Sequence, residues 1–265
     1  MGIDPHEDIL IENGFEVSAK GVLDFGLAMI DELFGVVSIV KPQVSFFERF
    51  GAPGFESLEQ LLDAAQSKGF VVIADAKRGD IGSTMEAYAH AWLGKSAPFT
   101  CDALTVNPYL GVGALASAAA VASERGKGLF VLAATSNPEG AALQSSTGDV
   151  TVAAQVAREV DRINSSTATS NSKFGSNGLV IGATVSLSNL GLAGINQGRE
   201  SLRTPILAPG FGFQGARLDD AKSIFKSLSG DVLYSISRSA LREGIRSVSR
   251  AVQDDQNTLH KALSQ

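Results

Sequence analysis

Short apolar runs that do not alternate with polar residues recur along this chain, and they constrain its fold more than any other feature. They lie at residues 36–42 (VVSIVKP), 70–75 (FVVIAD), 103–106 (ALTV), 128–133 (GLFVLA), 178–182 (GLVIG), 206–208 (ILA) and 232–236 (VLYSI). A strand with one wet face reads apolar-in, polar-out. Runs rich in Val, Ile and Leu throughout belong to parallel strands covered on both faces. The stretches between them have the period of about 3.6 residues that marks helices. Leu23, Leu27, Ile30 and Phe34 predict one buried helix face; Leu58, Leu61, Leu62 and Ala65 a second; Val152, Val156, Val160 and Ile163 a third. Strands alternating with helices imply right-handed βαβ units. Seven such strands plus a stub at residues 1–3, in a chain of 265 residues, predict an α/β protein of the (β/α)8 TIM-barrel type with a shortened first strand, rather than an open doubly wound sheet. Residues 1–265 read as one domain. A barrel strand needs about five residues, so the stub carries the expectation that the natural chain begins farther upstream.

A hydrophobic fraction of 44% supplies a sizeable core. With 22 Lys and Arg against 28 Asp and Glu, the net charge of −6 disfavours broad nucleic-acid binding. Cys101 is the one cysteine, so no internal disulfide or CxxC knuckle exists, and it is expected to pack as a small core residue. His6, His90 and His260 are scattered, and no metal site is expected. No apolar run approaches the roughly 18 residues of a membrane span, and no signal peptide opens the chain. A cytoplasmic protein with no membrane partner is the expectation. Residues 164–177 (NSSTATSNSKFGSN) form a low-complexity patch that predicts a flexible surface loop.

Barrel active sites gather where strands give way to loops. Asp4, Lys41, Asp75 with Lys77, Asn107, Ser136, the 209–215 segment and Arg238 all stand at such ends. Asp75 and Lys77 are two apart, so they share a face of their strand. Asp80 is expected to open the next helix, where an acidic residue suits the N-terminus. An ammonium held between carboxylates can donate a proton in a dry site, while the same cluster also reads as a structural ion-pair knot at the barrel rim. Lys41 lies in an apolar strand and needs a partner, which Asp4 or Asp75 can supply. The run GFGFQG at 210–215 matches GxGxxG, but Ser237-Arg238 ends the following strand where a dinucleotide fold wants an acid. A phosphate loop assisted by Arg238, or a plain chain turn, are the other readings. His90 and Trp92 read as packing or subunit contacts, and His6 as a loop residue.

Five separated motifs, in one order, resemble the orotidine 5′-monophosphate decarboxylase family. They are VIADAKRGDIGST at 72–84, carrying its Asp-x-Lys-x-x-Asp signature, GIDPH at 2–6, VKPQVSFF at 40–47, AATSNPEG at 133–140, and the 209–215 segment with Arg238. Within that family the chain is similar to the bacterial type 2, mycobacterial-like branch, from Gly2 to about Gly244. The resemblance implies a homodimeric (β/α)8 barrel that converts orotidine 5′-monophosphate to UMP without metal or organic cofactor. By the same resemblance Lys77 protonates carbon 6 of the pyrimidine and Asp75 sits by the substrate carboxylate. Asp80 reaches into the neighbouring subunit's site, with Ile81 and Thr84 beside it. Lys41 joins the charged network and touches the ribose, and Asp4 binds a ribose hydroxyl. Ser136 hydrogen-bonds the pyrimidine, Gln214 bridges phosphate and base, and Arg238 holds the phosphate with the loop amides between Pro209 and Gly215. Two other readings remain: a Mg2+-dependent sugar-phosphate decarboxylase or aldolase on the same barrel, and a non-catalytic UMP-binding barrel if the short first strand misplaces Asp4.

Overall fold

The computed structural model describes residues 1–166 and 172–264. Among them eight strands stand in chain order in one sheet: β1 (Gly2–Ile3), β2 (Ile39–Pro42), β3 (Val71–Arg78), β4 (Ala103–Val106), β5 (Gly128–Ala134), β6 (Asn177–Ile181), β7 (Ile206–Ala208) and β8 (Val232–Tyr234). Every neighbouring pair is parallel. Across the seam between last strand and first, the Gly2 N–H donates to the Ile236 carbonyl at 2.7 Å. The sheet thus curls on itself as a (β/α)8 barrel. The helices are α1 (Glu7–Glu12), α2 (Ala19–Leu33), α3 (Ser45–Glu48), α4 (Gly51–Ser67), α5 (Gly82–Leu93), α6 (Ala116–Glu124), α7 (Gly140–Ser145), α8 (Val152–Ser166), α9 (Ala221–Phe225) and α10 (Val248–Ser264).

The two-residue period of a strand separates the apolar residues into two layers. Ile73, Ala103, Phe130, Val180 and Leu207 pack with Ile39, Leu132 and Leu233 inside the barrel. Val72, Ala74, Leu104, Leu129, Val131 and Ile206 belong to the larger core between strands and helices. Because both layers are apolar, the sequence shows no alternation. The inward parity continues past the apolar layer: Lys41 stands two beyond Ile39, Asp75 two beyond Ile73, and Thr105 two beyond Ala103.

Several boundaries and one helix face differ from the sequence expectation. Residues 36 and 37 lie at the end of the turn and in the link before β2, and β8 ends at Tyr234. β3 runs on to Arg78 because it pairs with β4 again at Arg78–Val106, past a register shift that follows Ala74. α2 buries Val22, Phe25, Gly26, Met29, Ile30 and Leu33. Leu23 and Leu27 are only half-buried, and Phe34, beyond the helix end, is 62% exposed. This helix is apolar on more than one side, so periodicity left its rotation open and packing against α4 decides it. Residues 182–205, between β6 and β7, contain no helix. They are held instead by Asn196, whose side chain accepts from the Thr204 N–H at 2.7 Å and donates to the Thr204 carbonyl at 3.0 Å. Cys101 is fully buried as expected, donates to the Trp92 carbonyl at 3.4 Å, and has its thiol pushed up to about 12 by burial.

The 164–177 patch is not a free loop along its length. Asn164 and Ser165 lie inside α8, Phe174 bridges to Arg203, and Asn177 opens β6; residues 167–171 lie outside the described residues. Asn164 is buried, accepts from the Asn177 N–H at 2.9 Å and donates to the Asn177 carbonyl at 2.8 Å. Its amide thereby satisfies both backbone groups of the first residue of β6, as a neighbouring strand would. Asn164→Ala leaves those groups unpaired in a buried place and is expected to cost about 2–4 kcal/mol. Urea unfolding measures it, and a loss within about 0.5 kcal/mol, the scatter of neutral surface changes, would show the clamp to be idle.

Candidate active site

At the end of the strands where their loops begin, three neighbouring strands deliver polar groups, two of them cationic, to one carboxylate. Asp75 Oδ2 accepts from Lys41 Nζ at 2.7 Å and from Gln43 Nε2 at 3.3 Å. Asp75 Oδ1 accepts from Lys77 Nζ at 2.5 Å and from the Thr105 hydroxyl at 3.0 Å. Lys41 and Asp75 are buried, whereas the Lys77 side chain is 44% exposed and opens toward the cavity. Burial alone would push the Asp75 carboxyl up, but the Lys41 and Lys77 ammonium groups outweigh it and hold it well below the usual carboxylate range. Burial likewise pulls Lys41 down, and the Asp75 and Asp4 carboxylates overcome it and raise it. Both groups stay ionised across the neutral range.

Lys77 adopts φ +50°, in the left-handed region, at the register shift of β3. Such a conformation costs on the order of 1–3 kcal/mol for a non-glycine residue. It is compensated by the Lys77 N–H donating to Thr105 Oγ1 at 2.9 Å. A bulge of this kind re-aims a side chain, here bringing Nζ back onto Asp75.

The cavity above this network has a volume of about 780 Å3 and takes Asp4, Lys41, Asp75, Lys77, Ser136, Pro209 and Gln214 into its lining. Its floor is the inner apolar layer, through Leu132, Val180 and Leu207. Ser136 Oγ and Asp4 Oδ1 are buried and have no hydrogen-bond partner among the described residues, which leaves both with bonding capacity unused. Ser136 packs on the bare backbone at Gly182, where a Cβ would lie 2.3 Å from its Oγ. A smaller cavity of about 370 Å3, between α8 and the β6–β7 crossover, holds none of the candidate residues.

Asp80, Ile81, Thr84, Gly215 and Arg238 do not line the cavity. α5 starts at Gly82 with Ile81 as its cap, so Asp80 does not open it; its carboxylate instead accepts from the Ile81 N–H at 2.8 Å. Lys77 pairs with Asp75 and makes no ion pair with Asp80 among the described residues. Ile81 and Thr84 are exposed. In the 209–215 segment, Gly212 donates to the Ala216 carbonyl and Gly215 to the Gly212 carbonyl, which makes a tight flap. Arg238 lies in a short turn after β8, with its guanidinium carbon 3.5 Å above the ring of Phe213. His6 is lowered by burial and by Arg238, so it is neutral beside that guanidinium near pH 7. Thr105 and Gln43, which complete the Asp75 shell, are absent from the sequence-based set. For Thr105 the signal was available, since it continues the inward parity of Ala103.

Comparison with known proteins gives a consistent family. The family model described as Orotidine 5'-phosphate decarboxylase / HUMPS family matches residues 16–239. An orotidine 5'-phosphate decarboxylase from Salinispora arenicola is 44% identical over 246 residues, covering 92% of this chain and 84% of the relative. That from Corynebacterium efficiens is 40% identical over 246 residues, covering 92% and 85%. A Streptomyces avermitilis crystal structure, of a candidate orotidine 5'-phosphate decarboxylase, superposes with a TM-score of 0.89 at 38% identity, covering 100% of this chain and 90% of that one.

The buried ion pair gives a signed pH dependence. The Asp75 carboxyl is depressed in the folded chain, so its contribution to stability is present above about pH 4 and is lost as pH falls below that. Lys41→Met removes one of its two cations and leaves the buried carboxylate undercompensated. The expected result is a loss of about 3–5 kcal/mol at pH 7 and an acid-unfolding midpoint moved to higher pH, followed by circular dichroism. An unmoved midpoint would contradict the network as described.

Proposed function

The chain belongs to the orotidine 5'-phosphate decarboxylase / HUMPS family, and from that membership we propose how its residues divide the work. The reaction is the decarboxylation of orotidine 5′-phosphate to UMP in pyrimidine biosynthesis, a lyase step. The observation that carries the residue assignment is the Lys41–Asp75–Lys77 network at the mouth of a cavity with two unpartnered polar atoms.

When the bond between carbon 6 and the carboxylate breaks, CO2 departs and the electron pair stays on carbon 6. Lys77 Nζ donates a proton to that carbon, and the amine regains one from solvent. The developing charge meets an ammonium already fixed by Asp75 at 2.5 Å, so little reorganisation remains to be done in the transition state. Asp75, kept ionised by its two lysines, stands by the substrate carboxylate, and their repulsion is relieved as CO2 leaves. Asp4 takes a ribose hydroxyl, Lys41 reaches the ribose edge, and Ser136 reads the pyrimidine. Gln214 spans base and phosphate. Arg238 and the amides between Pro209 and Gly215 hold the phosphate, and the binding energy of this remote group closes the flap and expels water.

Asp80, with Ile81 and Thr84 exposed beside it, points the reading toward a homodimer in which Asp80 enters the neighbouring site. Residues 1–265 act as one barrel domain, in the cytoplasm, on a small-molecule substrate and with no metal or organic cofactor. Neither a Mg2+-dependent sugar-phosphate reaction nor a non-catalytic role is supported by the relatives, which are orotidine 5'-phosphate decarboxylases.

An absorbance assay of orotidine 5′-phosphate loss in excess EDTA tests the reaction and its independence of metal together: turnover is expected to persist. Lys77→Ala is expected to abolish turnover while UMP binding survives, and substantial turnover by that variant would remove Lys77 from the proton-donor role. Arg238→Ala is expected to lose roughly 1.5–3 kcal/mol of charge-assisted contact, or about 10–100-fold in kcat/KM. An unchanged kcat/KM would refute the phosphate assignment.

A further inference from the structure

Ser136 Oγ has no hydrogen-bond partner among the described residues, so its aim is set by its packing on Gly182 and by the backbone that carries it. That backbone is fixed from one side chain nine residues away. Gln144 Oε1 accepts from the Thr135 N–H at 2.9 Å, and Gln144 Nε2 contacts Thr135 Oγ1 as a donor at 2.7 Å. The Thr135 hydroxyl in turn donates to Asn137 Oδ1 at 2.7 Å, and Asn137 Nδ2 to Glu139 at 3.0 Å. A run of side-chain hydrogen bonds therefore flanks Ser136 on both sides in sequence. It begins where the β5–β6 ladder ends, at Ala134–Ile181, so Gln144 supplies the acceptor that a continuing strand would have supplied to Thr135.

Two features of α7 show what this helix is for. It buries none of its residues, so no apolar face holds it in place. Its first residue, Gly140, is bare where the clamp passes: a Cβ there would lie 2.8 Å from Gln144 Nε2 and 2.9 Å from Thr135 Oγ1. Alanine ordinarily stabilises a helix relative to glycine, and here it would collide with both partners of the clamp.

We infer that Gln144 is a positioning residue for base recognition, acting through Thr135 to hold Ser136 toward the pyrimidine. This rests on the reading of Ser136 given above. Gln144 borders the cavity, but its amide is engaged with Thr135, and its contribution passes through the turn rather than through contact with substrate.

The test uses the full-length enzyme, kcat/KM for orotidine 5′-phosphate, melting temperature, and binding of UMP and of ribose 5-phosphate, which has no base. Gln144→Ala is expected to lower kcat/KM roughly tenfold, the scale of one displaced hydrogen bond. It should weaken UMP binding and leave ribose 5-phosphate binding unchanged. Gln144→Glu keeps an oxygen for the Thr135 N–H but has no donor for the Thr135 hydroxyl, whose proton already goes to Asn137, and should restore part of the loss. Gly140→Ala should lower kcat/KM with a melting temperature unchanged or raised, and it carries the test if Gln144→Ala does not fold. In a Ser136→Ala background, adding Gln144→Ala should cost nothing further. A Gln144→Ala enzyme at the parent rate, while Ser136→Ala is impaired, overturns the inference. So do two losses that multiply independently, or an equal weakening of UMP and ribose 5-phosphate. Ser136→Ala at the parent rate overturns instead the reading of Ser136, and the inference falls with it.

Discussion

Asp75 is stripped of most of its hydration at the mouth of the barrel, and the groups that compensate it come from three adjacent strands. Lys41 and Gln43 arrive with β2, Lys77 with β3 itself, and Thr105 with β4. An unpaired charge in that position would cost several kcal/mol, so the register of β2 against β3 and of β3 against β4 is fixed at this end by electrostatics as much as by the apolar layer below. The bridge between Gln43 and Asp75 continues the β2–β3 pairing past the end of β2 and shows the two demands meeting. The inner apolar layer has a second role, as a dry floor that keeps these charges in a low dielectric, where each contact is worth more than in water.

Much of this was legible in the sequence because it depends on local chemistry. The runs at 103–106 and 206–208 coincide with β4 and β7 to the residue. The apolar setting of Lys41 demands a carboxylate, and the nearness of Asp75 and Lys77 in sequence points to their pairing, although it is the bulge at Lys77 and not regular strand spacing that brings them together. What stayed hidden depends on a second segment. β3 continues through Ala76, Lys77 and Arg78, residues with little strand preference, only because β4 offers a partner at Val106. α2 has apolar residues on several sides, and α4 chooses among them. The polar stretch around Asn164 reads as loop because its composition is that of loop, yet one buried amide turns its inner end into a surrogate strand. The same substitution of an amide for a ladder partner recurs at Asn196 and at Gln144. A single-sequence reading sees Asn and Gln as surface residues and has no means to mark those that hold backbone.

The polar groups proposed to meet substrate are unequally supported. The charged network is built on strands and linked to the interior. Ser136 depends on a turn braced by hydrogen bonds and on the absence of a side chain at Gly182. The proposed phosphate end rests on a glycine-rich flap and on an arginine that lies against Phe213. Under the proposed assignment, the number of strand-borne hydrogen bonds thus falls from the reacting end toward the phosphate end. That gradient suits an enzyme whose chemistry needs fixed charge and whose substrate must still enter and leave.

Of the four non-glycine residues with positive φ among the described residues, Lys77 alone lies in a strand. Its backbone is held there by the Thr105 hydroxyl, a group the Asp-x-Lys-x-x-Asp pattern does not contain. The pattern is therefore not a portable cassette. Grafted onto the third strand of another barrel, with a valine opposite on the fourth, it would carry the same letters but relax into ordinary extended backbone. The ammonium would then swing away from the carboxylate that gives it its place.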